Sequence, residues 1–198
     1  VLLVSILVRY TSYFARDFLQ HDYRGLLLVA GLLILVLIAR LAGNQRVIES
    51  VSWVYLVPFA VLPMLVAMLV GQELALVVAV VLGVAAGYAS GRLLDVGALI
   101  ILGGAVGALR ARHIERLGAF FWTGIIIGLV NAAVVLSFFL ASTDRDVELI
   151  GGALIMALAN GGLAAAITAI TFAPLGNLLG VTTVLHLLEL AHPSQPLF

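Results

Sequence analysis

Long apolar runs, broken by short stretches that carry the charges and turn residues, set the pattern of this chain. A helix needs about 20 apolar residues to cross about 30 Å of hydrocarbon, so the chain divides where charges and turn formers interrupt the runs. Seven segments result, at residues 1–14, 25–42, 53–70, 74–90, 96–109, 119–141 and 149–173. The first and fifth are short and Arg9 lies inside the first, so that one is open to being truncated, tilted or interfacial. The pattern predicts an all-α fold, a polytopic transmembrane helical bundle with six or seven spans over residues 1–173, followed by a tail over 174–198.

Composition agrees with that pattern. The chain is 64% hydrophobic and 10% charged, with a mean hydropathy of +1.24 over 198 residues, too apolar for a soluble domain to cover with a polar surface. The lipid bilayer is therefore its expected surroundings. With no cysteine, disulfides, thiolate metal ligands and a cysteine nucleophile are excluded. A net charge of zero argues against a nucleic-acid partner. Residues 1–14 lack the basic start and small-residue cleavage site of a signal peptide. Val1 sits inside an apolar run and Phe198 follows a Pro-Ser-Gln-Pro turn, so the chain is expected to be a fragment with neighbours on both sides.

If the tail is cytoplasmic, seven spans put Arg16, Arg24, Arg110, Arg112 and Arg116 in inner loops and Arg40, Arg46, Arg92 and Arg145 in outer ones. The densest basic cluster, RARHIER at 110–116, then lies on the inner side. It can serve as a topology anchor that meets anionic head groups, or as a contact for a cytoplasmic domain.

Small residues four apart let helices approach closely in lipid, where apolar burial alone gives no driving force. Gly83, Gly87 and Gly91 form such a ladder, and Gly103 with Gly107 and Gly124 with Gly128 repeat the spacing. These faces suit packing within one bundle or a homodimer contact. Pro58 and Pro63 fall in the third segment, where each removes an amide donor and clashes with a carbonyl four residues back, so a kink is expected there. That kink can act as a hinge or be a fixed bend.

Polar groups at bilayer depth are the functional candidates by default. Asn131 in the sixth segment and Asn160, Thr168 and Thr171 in the seventh are the main ones, while Glu73 and Asp95 fall at segment ends. Asn131 and Asn160 form a possible intramembrane polar site, through hydrogen bonds between helices or contact with a ligand. His21, His113, His186 and His192 have no second ligand at helical spacing, and no phosphate-cradling glycine loop occurs. No catalytic residue, metal ligand or cofactor is predicted in this chain.

In the tail, Thr183 can cap a short helix over 184–191 whose polar stripe is Thr182, His186 and Glu189, with Pro193 as its stop. Its other face, which includes Leu187 and Leu188, is apolar and can lie at the membrane interface or pack on a following domain. Anchoring and signal transmission both fit.

Three stretches stand out together: YLVPFAVLPMLVAML at 55–69, RHIERLGAFFWTG at 112–124, and the tail series of Thr182 and Thr183, the LLEL of Leu187, Leu188, Glu189 and Leu190, His192-Pro193 and Pro196-Leu197. They resemble the membrane region of bacterial seven-transmembrane receptors with an intracellular HD hydrolase domain. The series departs from the family pattern at Leu175, where a glutamate is expected after Pro174, and at His192, where asparagine is expected. The resemblance implies a domain outside the cell before Val1, this bundle, and a linker helix over 174–198 that leads into a cytosolic HD phosphohydrolase. The HD domain would hold a divalent metal pair on histidines and aspartates, and family members hydrolyse cyclic di-AMP. It implies a multi-pass protein of the bacterial cell membrane, with a sensor and anchor role for this part and with Arg110, Arg112, Arg116, Leu187, Leu188, Glu189, Leu190 and Pro193 as possible coupling residues. The alternative is a small-molecule transporter or permease subunit.

Overall fold

The computed structural model describes residue 5 and residues 22–43, 46–48, 51–112, 114, 117–142 and 147–178. The first segment apart from Ser5, together with Arg116, the tail residues Leu187, Leu188, Glu189 and Leu190, and Pro193, lies outside the described residues.

Helices dominate, as the apolar runs predict. They are α1 (Asp22–Gly43), α2 (Val61–Leu69), α3 (Gln72–Ala89), α4 (Asp95–Ala111), α5 (Leu117–Ala141) and α6 (Val147–Leu178). Between α1 and α2 lie two very short antiparallel strands, β1 (Arg46–Ile48) and β2 (Val51–Ser52), and a 3-10 turn at Trp53–Leu56. Among the described residues three stretches, Gln72–Ala89, Gly118–Ala141 and Ile150–Gly176, are by themselves long and apolar enough to cross a membrane. α6 runs on through Pro174 to Leu178, past the sequence boundary at 173. At about 1.5 Å per residue its 32 residues extend roughly 48 Å, more than a hydrocarbon core is thick.

The third segment is not one kinked helix. Its chain makes a 3-10 turn at Trp53–Leu56, breaks at Val57–Ala60, and starts again as the nine-residue α2. Pro58 lies in the break itself, where the Pro58 carbonyl accepts from the Val61 amide at 3.2 Å. Pro63 is the third residue of α2, within the first turn, where an amide has no partner inside the helix in any case. It therefore starts a helix rather than bending one, and its ring stands where a Cβ on Gly104 of α4 would lie 3.2 Å away.

α2 is the buried centre of the bundle, with Pro63, Met64, Leu65, Val66 and Ala67 all buried against α3, α4 and α6. The remaining helices pack in sequence around it, α1 on α3, α3 on α4, α4 on α5 and α5 on α6. At two of these pairs glycine meets glycine. At α3–α4 a Cβ on Gly83 would lie 2.9 Å from the Gly97 carbonyl oxygen, and one on Gly87 would lie 3.0 Å from the Gly97 Cα. At α5–α6 a Cβ on Gly161 would overlap the Gly128 amide nitrogen and the Gly124 carbonyl oxygen. The Gly83–Gly87 face is thus occupied within one chain.

Gly91 does not extend that ladder. α3 ends at Ala89, and Gly91 follows with φ of 73°, the left-handed conformation glycine adopts without a Cβ penalty. Its amide donates to the Tyr88 carbonyl at 3.1 Å and the Arg92 amide to the Gly87 carbonyl at 3.0 Å, which closes the helix end. Nothing lies within 4 Å of a Cβ built there, so conformation rather than packing demands the glycine.

Candidate functional site

A helix that breaks inside an apolar bundle leaves carbonyls without intrahelical partners, and in lipid such groups have to be satisfied by protein. The break at Val57–Ala60 meets that requirement partly through its own amides, Phe59 to the Val57 carbonyl at 2.8 Å and Val61 to the Pro58 carbonyl, and partly through one side chain of α6. Asn160 is 1% exposed, and its Nδ2 donates to the Tyr55 carbonyl at 3.0 Å and to the Val57 carbonyl at 2.6 Å. These two bonds fix which end of the Asn160 amide is the donor, so Oδ1 faces the other way. There it accepts from Nδ2 of Asn131 on α5 at 3.1 Å. One chain of hydrogen bonds therefore joins α5, α6 and the interrupted segment.

Asn131, also 1% exposed, has spent its donor on Asn160 and points Oδ1 at α4, where a Cβ on Gly103 would collide with it. That Oδ1 is buried with no hydrogen-bond partner. The geometry explains the orphan: turning the amide over would set two acceptors against each other at Asn160. Gly103 thus makes room for a polar side chain, while Gly107, four residues on, approaches Met64 and Ile127. Thr168, one of the four polar candidates, bonds back to the Ala164 carbonyl at 2.7 Å and lies 3.8 Å from the Met64 sulfur. Thr171 likewise returns to its own helix, at the Ile167 carbonyl.

A second polar cluster grips the other side of the same turn. The Tyr55 hydroxyl donates to Asp95 Oδ2 at 2.9 Å and accepts from Arg92 Nη2 at 2.5 Å. Arg92 pairs with the same Asp95 oxygen at 2.5 Å, and its guanidinium carbon sits 4.8 Å from the Tyr55 ring centre. The Gly91 turn delivers Arg92 to this place, and Asp95, in the first turn of α4, also meets the positive end of that helix's dipole. Tyr55 is therefore held twice, by its carbonyl to α6 and by its hydroxyl to the α3–α4 loop.

Sequence reasoning found the two asparagines and missed this triad. Arg92 and Asp95, three apart at a helix start, carry a local ion-pair signal. Tyr55, 40 residues before Asp95, carries none. Arg110 and Arg112 are exposed at the end of α4, away from both clusters. Among the described residues no group of three or more His, Cys, Asp or Glu side chains comes together to hold a metal. What the arrangement can do is mechanical: it ties the position of an interrupted segment to that of the long α6.

The cyclic-di-AMP phosphodiesterase PgpH of Listeria monocytogenes is 28% identical over 149 residues, which cover 72% of this chain and 20% of that protein. The chain thus spans about a fifth of the length of the curated relative it matches. No solved structure matches it. The family described as 7TM receptor with intracellular HD hydrolase matches residues 1–183, nearly the whole length, and the chain belongs to that family.

Proposed function

We propose that this chain is the sensing and anchoring membrane part of an HD phosphohydrolase of the bacterial cell membrane, and that it couples membrane or extracellular signals to hydrolysis of cyclic di-AMP in the cytosol. The single observation that carries the coupling role is Asn160, which fastens the interrupted segment to the helix nearest the C-terminal tail. A change in the packing of the break would move α6, and α6 leads into 179–198 and then toward an HD domain. In this reading the bundle crosses the membrane several times, a domain outside the cell precedes Val1, and 174–198 serves as the linker. The divalent metal pair belongs to the HD domain, so the bundle itself is catalytically silent.

The test uses the full-length protein in membranes, with cyclic di-AMP as substrate. Changing Leu187, Leu188 and Leu190 to serine is expected to leave metal-dependent turnover in place and to abolish its response to the membrane or extracellular input. Asn160→Leu, which removes both carbonyl bonds, is expected to do the same from the other end of the pathway. Fully regulated hydrolysis in both variants would overturn the coupling role. Removal of divalent metal should stop hydrolysis while the helix content of the membrane part stays unchanged by circular dichroism.

The interrupted segment with a polar side chain at its break also occurs in transporter architectures. Uptake by this chain in proteoliposomes, lost on changing Asn131 or Asn160, would support that second reading instead.

A further inference from the structure

Between α1, the interrupted segment and α6 lies a cavity of about 630 Å³. That volume falls in the roughly 300–1,000 Å³ range of pockets that hold small organic ligands. We propose that it binds one acyl chain of a bilayer phospholipid. The proposal rests on the sensor reading and names the class of molecule that would be sensed.

The lining decides the chemistry. Among the described residues, every lining side chain apart from Gly31 and the Trp53 indole is hydrocarbon, from Ile34 on α1 through Leu56 and Leu65 to Ile167 on α6. A solute with hydrogen-bonding groups would lose its partners on entry, whereas a methylene chain loses nothing. Position decides the source. Ile34 is 58% exposed and Ile167 is 37% exposed at the rim, and both merge with the exposed apolar faces of α1 and α6, where Leu37 and Ile170 stand. α6 carries one of the membrane-length stretches, so the cavity opens onto the surface that meets lipid.

α1 approaches α2 closely beside the cavity, since a Cβ on Gly31 would lie 3.2 Å from Leu62 Cδ1. A single flexible methylene chain can lie against that contact without moving either helix, and occupation by the chain's own first segment or by a second copy is an outcome of the test below.

The wall matters for function because it includes Leu56, Val57 and Pro58, the break whose carbonyls Asn160 holds. An acyl chain in the cavity therefore presses on the element fastened to α6. Lipids with different chain lengths or unsaturation would fill the space to different extents.

The proposal is tested with full-length protein in nanodiscs doped with phosphatidylglycerol that carries a diazirine at mid-chain, followed by photolysis and peptide mapping. Labelling of residues 53–70 is expected to saturate at low mole fraction and to exceed that of Leu37 and Phe121, which face bulk lipid. In an Ile34→Trp, Ile167→Trp variant that narrows the mouth, it should fall about tenfold while Phe121 labelling is unchanged, which also reports that the variant is folded. Labelling of 53–70 that rises in proportion to probe and stays at or below the Phe121 level would overturn the proposal. So would labelling that emerges only after deletion of 1–14, which would assign the space to the chain's own first segment. The chain has no cysteine, so Ile34→Cys gives a third arm: a disulfide between two copies there would assign the space to a second copy and likewise overturn the proposal. None of these readouts uses hydrolysis, so the sensor reading, which the Asn160→Leu and tail variants test, can stand if this one falls.

Discussion

The two sides of α6 are built on opposite principles. Toward α5 the closest approach is backbone to backbone, with Gly161 against Gly124 and Gly128, flanked by the Ala165 Cβ and by the Asn131–Asn160 bond. Toward α1 the same helix borders a cavity of about 630 Å³ and reaches the interrupted segment through the Asn160 amide. Close-packed backbone has no low-energy way to shift, because relief requires moving a whole helix. A hydrogen-bonded contact beside open apolar space can rearrange by side-chain motion alone. The contrast assigns α5 and α6 to a rigid pair and the interrupted segment to the part able to respond.

The largest test of that contrast is Gly161→Leu. Its Cβ would fall inside contact distance of Gly128 backbone, so the pair must separate, and a loss of about 3 kcal/mol or more is expected from unfolding in detergent. A loss under about 1 kcal/mol would show that the α5–α6 face adapts after all. Next is Asn160→Leu, which removes the side-chain donor from the Tyr55 carbonyl and leaves the Val57 carbonyl with the Phe59 amide alone, at an expected loss of about 2 kcal/mol. Gly103→Ala should follow, at about 1.5 kcal/mol, because it drives a methyl into Asn131 Oδ1. Combining it with Asn131→Ala should recover much of that loss, and a double-mutant cycle reads the recovery directly. Tyr55→Phe removes one hydroxyl but leaves the Arg92–Asp95 pair, so about 1 kcal/mol is expected. The smallest effect belongs to Asn131→Leu, about 0.6 kcal/mol, since the residue makes one interhelical bond and carries an unmet acceptor.

Much of this architecture could be read from the sequence, and the reason is physical. Span limits follow from where charges interrupt apolar runs, and α1, α3, α4 and α5 begin and end within three residues of the predicted segments. The two asparagines stood out because polar groups are rare in such runs, and the structure bonds them to each other. What could not be read depends on contacts distant in sequence. Two prolines five apart suggest a kinked helix, but whether the chain bends or breaks depends on a partner for the freed carbonyls, and that partner, Asn160, lies about a hundred residues away. The spacing of Gly83, Gly87 and Gly91 likewise hides the fact that the helix ends before the third. Gly161 drew no notice because the residues it approaches, Gly124 and Gly128, belong to a different helix.

The Asn160 amide also sets a scale for movement. Its bonds of 2.6 and 3.0 Å lose most of their strength beyond about 3.5 Å, while one residue of helix advance is about 1.5 Å. α6 therefore cannot creep along the interrupted segment by small degrees and keep its hold. It is either engaged or released, so a graded input from the bilayer would leave this bundle as a ratio of two populations rather than as a proportional displacement.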